Sequence, residues 1–225
     1  MENDFLKVIE TRRSCRKYKP EQITDEELKA VLEAGTYAPT SRGMQSPYIV
    51  AVQKKEVLAR LAKMNAEIMG VTSNPYYDAP TYVLVFAPSL ANNPVQDGSC
   101  VLENMMLAAH ALGLGSCWIH REREMFATEE GKQLMEEWGL PEGLMGIGAL
   151  SLGYPDGETA PAKPRKPEYF RVIGHKKTQG RFTQNVLAFA FKRPCVFPKT
   201  SLRLVSNVEA FWRKRKGVFL CLFLN

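Results

Sequence analysis

The chain has 225 residues, 45% of them apolar, and 30 Lys or Arg against 24 Asp or Glu give a formal net charge of +6. That is enough apolar mass for the core of one large domain, and no run of eighteen apolar residues is present to span a bilayer. The opening Met1-Glu2-Asn3-Asp4 is acidic and is followed by no apolar export segment, so a cytoplasmic protein is expected.

Residues 3–10 read as a short helix with Phe5, Val8 and Ile9 on one face. The basic segment R-R-S-C-R-K-Y, residues 12–18, follows. Arg12, Ser14 and Arg16 alternate, so in extended backbone they project to one side. Two planar guanidinium groups and a hydroxyl converging there suit a phosphate monoester; the alternative is a solvated basic turn. Thr24 and Glu27 have the spacing of a capping box. The helix behind them carries Leu28, Val31 and Leu32 on one stripe and is expected to end at Gly35. Residues 48–53 read as a strand. Val57, Leu58, Leu61, Met64 and Ile68 mark a helix, and residues 81–87 a buried strand.

Leu102, Met105, Met106, Ala109 and Leu112 form the strongest helical pattern, largely apolar, expected at the domain centre or in a subunit interface. Residues 116–120 then read as a strand, 128–138 as a helix and 144–152 as a strand. Helices and strands intersperse without strict βαβ regularity, which implies an α+β domain with a mixed sheet flanked by helices. Residues 155–167 hold four prolines and run extended, placing Lys163 and Arg165 on the same side.

Charge is unevenly placed. Residues 174–225 contain eleven Lys or Arg and one acid, Glu209, which leaves nineteen bases and twenty-three acids in residues 1–173. Seven of the eleven Phe also fall in the tail, with no period joining them. The expected organisation is a main domain, 1–173, and a basic, atypical and poorly ordered extension, 174–225.

The five cysteines form no C-x-x-C pair and the three histidines lack ligand spacing, so neither a disulfide framework nor a structural metal site is expected. Gly113 and Gly115 end a helix where a dinucleotide fingerprint would open one, and there is no P-loop, H-E-x-x-H or G-x-S-x-G. With no nucleophile beside a base, no side chain is assigned a catalytic role; an enzyme of this sequence would place its chemistry in a bound cofactor. Cys117 reads as a small buried apolar residue, and Tyr76 and Tyr77 are left undecided between site and loop support.

Five segments, in order, carry a resemblance: residues 12–18; A-P-T-S-R-G-M-Q-S-P, 38–47; N-M-M-L-A-A-H-A-L-G-L-G-S-C-W-I, 104–119; L-G-Y-P, 152–155; and K-P-R, 163–165. Over about residues 1–173 the chain resembles the nitroreductase family of FMN-dependent enzymes. The resemblance implies a homodimer with FMN at its interface. Arg12, Arg13, Ser14 and Arg16 would hold the phosphate and ribityl oxygens, and Lys163 and Arg165 would close on the same phosphate. Pro39, Thr40, Ser41 and Gln45 would reach across the dimer to the flavin ring, along which Cys117, Trp118, Ile119 and the following His120 would run. Many family members carry Asn where this chain has Gly43, which departs from the pattern. The implied activity is hydride transfer from NADH or NADPH to a small electron-poor acceptor such as a nitroaromatic or quinone, with neither nucleic acid nor membrane as partner. Two other readings remain: a non-enzymatic flavin-binding or storage protein, and a basic interaction protein acting through its tail.

Overall fold

Residues 82–87, Y-V-L-V-F-A, have no charged side chain, and strand periodicity sends Tyr82, Leu84 and Phe86 to one face and Val83, Val85 and Ala87 to the other. In the computed structural model, which describes residues 3–174, this run lies in strand β2 (Thr81–Pro88), and residues 82–87 are buried on both faces. β2 pairs with β1 (Tyr48–Val52) and β4 (Leu144–Gly153), and β4 also pairs with β3 (Gly115–Ile119), giving the order β1-β2-β4-β3. The α+β class holds, but every ladder is antiparallel, where a mixed sheet was expected. Each connection between sheet neighbours returns the chain in the opposite direction. Among the described residues the one parallel pairing is a single bridge, Ser14 to Ser116.

Helices cover both faces. On one, α3 (Lys55–Met69), α5 (Glu122–Met125) and α6 (Glu129–Glu137) bring Leu58, Leu61, Met125 and Leu134 against Tyr82, Leu84 and Phe86. On the other, α2 (Asp25–Thr36) and α4 (Pro94–Ala111) bring Val31, Val101, Leu102 and Met105 against Val83, Val85 and Leu150. The capping box at Thr24 and Glu27 forms in both directions. Gly35 does not terminate α2. It lies inside the last turn, where a Cβ would stand 2.9 Å from Met105 Cγ, so its lack of a side chain lets α2 approach α4.

The first helix, α1 (Asp4–Thr11), begins one residue later than the sequence reading, with Asn3 as its cap. Its apolar face is not covered by the other described residues: Phe5 is 63% exposed and Ile9 46%. The chain divides into two compact units, Met1–Pro164 and Arg165–Asn225. The described part of the second, residues 165–174, contains neither helix nor strand. The expectation of a poorly ordered tail falls, from residue 175 on, outside the described residues. No helix among the described residues is long and apolar enough to cross a membrane.

Candidate functional site

The basic segment is extended because α1 stops at Arg12, whose backbone takes φ −54° and ψ 133°. It then lies along the free edge of β3. Cys15 N donates to Ser116 O at 2.9 Å, Ser14 bridges Ser116, and Tyr18 bridges Pro155. The Tyr18 hydroxyl lies 2.8 Å from Cys15 O and 3.3 Å from Ser151 O, fastening the far end. Cys15 faces inward and is buried. Arg12, Ser14 and Arg16 all act on the Cys117 thiol: burial pushes it up, while Arg16, the Ser14 hydroxyl and Arg12 pull it down. The Ser14–Ser116 bridge thus lays the alternating segment along β3, with Arg12, Ser14 and Arg16 all near enough to Cys117 to influence its thiol. The raised thiol fits the reading of Cys117 as a buried apolar residue.

The two adjacent arginines behave differently. Arg13 turns back and donates to Glu10 O at 2.8 Å and Arg12 O at 2.6 Å, satisfying carbonyls at the end of α1. Arg12 has a buried Nη1 with no hydrogen-bond partner among the described residues. Arg16 is exposed, and its Nε donates to the Tyr77 hydroxyl at 3.2 Å. His110 stands behind them, with Nε2 2.8 Å from Thr11 Oγ1. The Thr11 hydroxyl donates its proton to Lys7 O at 2.6 Å, so Nε2 carries the hydrogen of the shared bond. Burial, then Arg12 and Arg13, push His110 below the ordinary histidine value, favouring the neutral ring.

Residues 38–47 make a second cluster, seated on α4. Ser41 donates through N and Oγ to the buried Asp97 carboxylate at 3.0 Å, and its Oγ accepts from Asn93 at 2.8 Å. Thr40 Oγ1 accepts from Gln45 N at 2.9 Å. These hydroxyls shape the loop, which carries positive φ at Arg42 (56°), Gly43 (66°) and Gln45 (49°), while Pro39 and Gln45 are exposed. Asp97 escaped sequence reasoning because one carboxylate in the first turn of a helix looks like a dipole partner.

The three candidates on β3 do not share a face. Cys117 and Ile119 are buried on one side, whereas Trp118 is half-buried on the other, its Nε1 lying 2.8 Å from where a Cβ on Gly148 would stand. Lys163, in the first unit, and Arg165, which opens the second, are both exposed and lie in neither helix nor strand. Near the end of β3 lies a buried carboxyl that the sequence did not single out. Glu122 is 0% exposed, accepts from the Tyr76 hydroxyl at 2.9 Å, and is pushed up by burial to about 8. In the run R-E-R-E, residues 121–124, it reads as one more solvated charge.

A model of the nitroreductase family matches residues 9–154, spanning the basic segment, the 38–47 loop and all four strands. The chain belongs to the nitroreductase family. An Archaeoglobus fulgidus protein provisionally named NADH dehydrogenase/NAD(P)H nitroreductase is 36% identical over 163 residues, covering 69% of this chain and 87% of that one. The NADPH-flavin oxidoreductase of Vibrio harveyi is 29% identical over 191 residues, 77% of this chain and 74% of its own. Among solved structures, a nitroreductase with bound FMN from Bacteroides fragilis superposes with a TM-score of 0.72 at 30% identity. It is matched over its entire length by 77% of this chain. This nitroreductase-family chain thus contains the whole of that structure and further residues besides.

Proposed function

We propose that this protein is an FMN-dependent oxidoreductase. It takes hydride from NADH or NADPH and passes it to an electron-poor acceptor such as a nitroaromatic or quinone, working as a homodimer. The observation that carries the reading is the buried Arg12 Nη1, without a partner among the described residues, in the same extended segment as Ser14 and Arg16. A buried donor left unpaired costs about 1–3 kcal/mol, more when charged, and an anionic oxygen relieves it. A phosphate ester suits a site made of two guanidinium groups and a hydroxyl, since each supplies donors and no acceptor need be displaced.

FMN, when bound, supplies the hydride chemistry. The chain supplies grip, placement and shape. Arg12, Ser14 and Arg16 hold the phosphate and ribityl oxygens, and Lys163 adds a cation from the Pro-rich segment. Arg13, turned onto α1, contributes mainly by holding Arg12's backbone. The strand 117–119 and His120 offer backbone groups to the ring. The loop with Pro39, Thr40, Ser41 and Gln45, stiffened by Asp97, reaches a flavin held by the partner subunit. The exposed apolar face of α1 supports dimerisation: Phe5, Leu6 and Ile9 are all left exposed by the described residues.

Titrating the full-length protein with FMN tests the reading directly. The wild-type chain is expected to acquire flavin visible absorption. Arg12→Ala is expected to weaken binding by roughly tenfold to a hundredfold, the 1.5–3 kcal/mol of a charged hydrogen bond. A colourless protein that refuses added FMN would falsify the proposal. Bound flavin without NADH or NADPH oxidation in the presence of a quinone would make the protein a flavin-binding module instead.

A further inference from the structure

Two consecutive residues, Tyr77 and Asp78, adopt left-handed backbone, with φ of 58° and 54°. Neither is Gly, and two such residues in a row store strain that the surroundings must over-determine. Those surroundings are on the page. Tyr76, one residue earlier, is fully buried, stacks on Tyr82 at 4.0 Å and 11°, and donates to Glu122. Its carbonyl accepts from Ser151 Oγ at 2.9 Å. Asn74 accepts from Tyr76 N at 2.9 Å and donates to Asp78 Oδ1 at 2.9 Å and to the Tyr82 hydroxyl at 3.2 Å. Tyr76 therefore pins the turn into the core, and the left-handed step at Tyr77 sends the next ring outward.

That ring meets Arg16. The Arg16 Nε donates to the Tyr77 hydroxyl at 3.2 Å, and the guanidinium carbon lies 5.8 Å from the ring centroid. Arg16 is otherwise exposed, on a long side chain with many rotamers.

We propose that Tyr77 is a positioning residue that holds the Arg16 guanidinium in one orientation, so that it is arranged for the flavin phosphate before that group arrives. The inference rests on the reading of Arg12, Ser14 and Arg16 as the FMN grip. It assigns the strained turn at residues 74–78 to that grip, through a tyrosine the sequence left undecided. The hydroxyl accepts from Nε, leaving both terminal nitrogens of the guanidinium for a ligand. Preorganisation of this kind raises affinity by removing an ordering cost that binding would otherwise carry.

The test is a double-mutant cycle on flavin affinity in the full chain, with Tyr77→Phe, Arg16→Ala and the two combined, titrated with FMN and with riboflavin. Phe keeps the ring and removes only the hydroxyl at an exposed position. Tyr77→Phe is expected to weaken FMN binding roughly threefold to tenfold, to leave riboflavin binding unchanged, and to have no further effect once Arg16 is Ala. Unchanged FMN affinity overturns the proposal. So does a loss that persists in the Arg16→Ala background, which would make Tyr77 a direct ligand contact, or one that is equal for riboflavin, which would make its role general support of the fold. Failure of the wild-type chain to bind FMN is a separate result, and counts against the flavin reading itself.

Discussion

Arg12 and Arg13 are adjacent in sequence yet sit in opposite environments, one leaving a buried nitrogen unpaired and the other closing onto the end of its own helix. The sequence gives no means of telling them apart; what separates them is which one follows the strand direction and which points back along α1. Glu122 shows the same limit. Burial raises its carboxyl from the ordinary 4.5 to about 8, with Tyr76 donating to it and Arg121 and Glu124 as its charged neighbours. Between those values the unfolded chain releases a proton that the folded chain keeps. The stability contributed by the neutral acid is therefore full at low pH and is lost as pH rises toward 8, at no more than about 1.4 kcal/mol per pH unit. Glu122→Gln retains an acceptor for Tyr76 and cannot ionise. Urea midpoints measured at several values from pH 5 to pH 8 are expected to fall less steeply with pH for the variant than for the wild type. Parallel profiles would show that Glu122 does not titrate in this window.

At the scale of elements, the junction of β4 and α5 is set by one close approach. A Cβ on Gly146 would stand 2.4 Å from Glu122 O and 2.5 Å from Glu122 C, both backbone atoms that cannot swing aside. The irregular register between Val85 and Phe86, opposite this part of β4, lies at the same place. Gly146→Ala is expected to force α5 from the strand at a cost of about 1–3 kcal/mol, lowering Tm by several degrees in thermal unfolding. A wild-type Tm would mean that the two elements are not in such contact. The sequence read β4 correctly as a strand but passed over α5, because four residues of E-R-E-M carry too little periodicity to register. It also took Gly35 for a helix end, when the residue admits a neighbouring helix.

At the scale of the molecule, the apolar face of α1 is left uncovered by the described residues. Phe5, Leu6 and Ile9 are all exposed, and the 38–47 loop is stiffened by Asp97 in a way that suits reaching outward. Introducing Glu at both Phe5 and Ile9 is expected to move the protein from dimer toward monomer in sedimentation velocity, because two like charges per subunit would be buried at the contact. A wild-type chain that sediments as a monomer at micromolar concentration would contradict the dimer.

The sequence alone determined the α+β class, nearly every long element, the family, and the alternation that puts Arg12, Ser14 and Arg16 on one side. Periodicity, capping and extended-chain geometry are local properties, and they survive being read one residue at a time. What only the tertiary structure decided was that the sheet is antiparallel, that Arg12 keeps one buried nitrogen without a partner among the described residues while Arg13 bonds back onto α1, that Glu122 lies in the core, and that Tyr77 reaches Arg16 across 61 positions of sequence. Each of these depends on which distant groups share a low-dielectric space or a hydrogen bond, and composition and spacing along the chain do not carry that information.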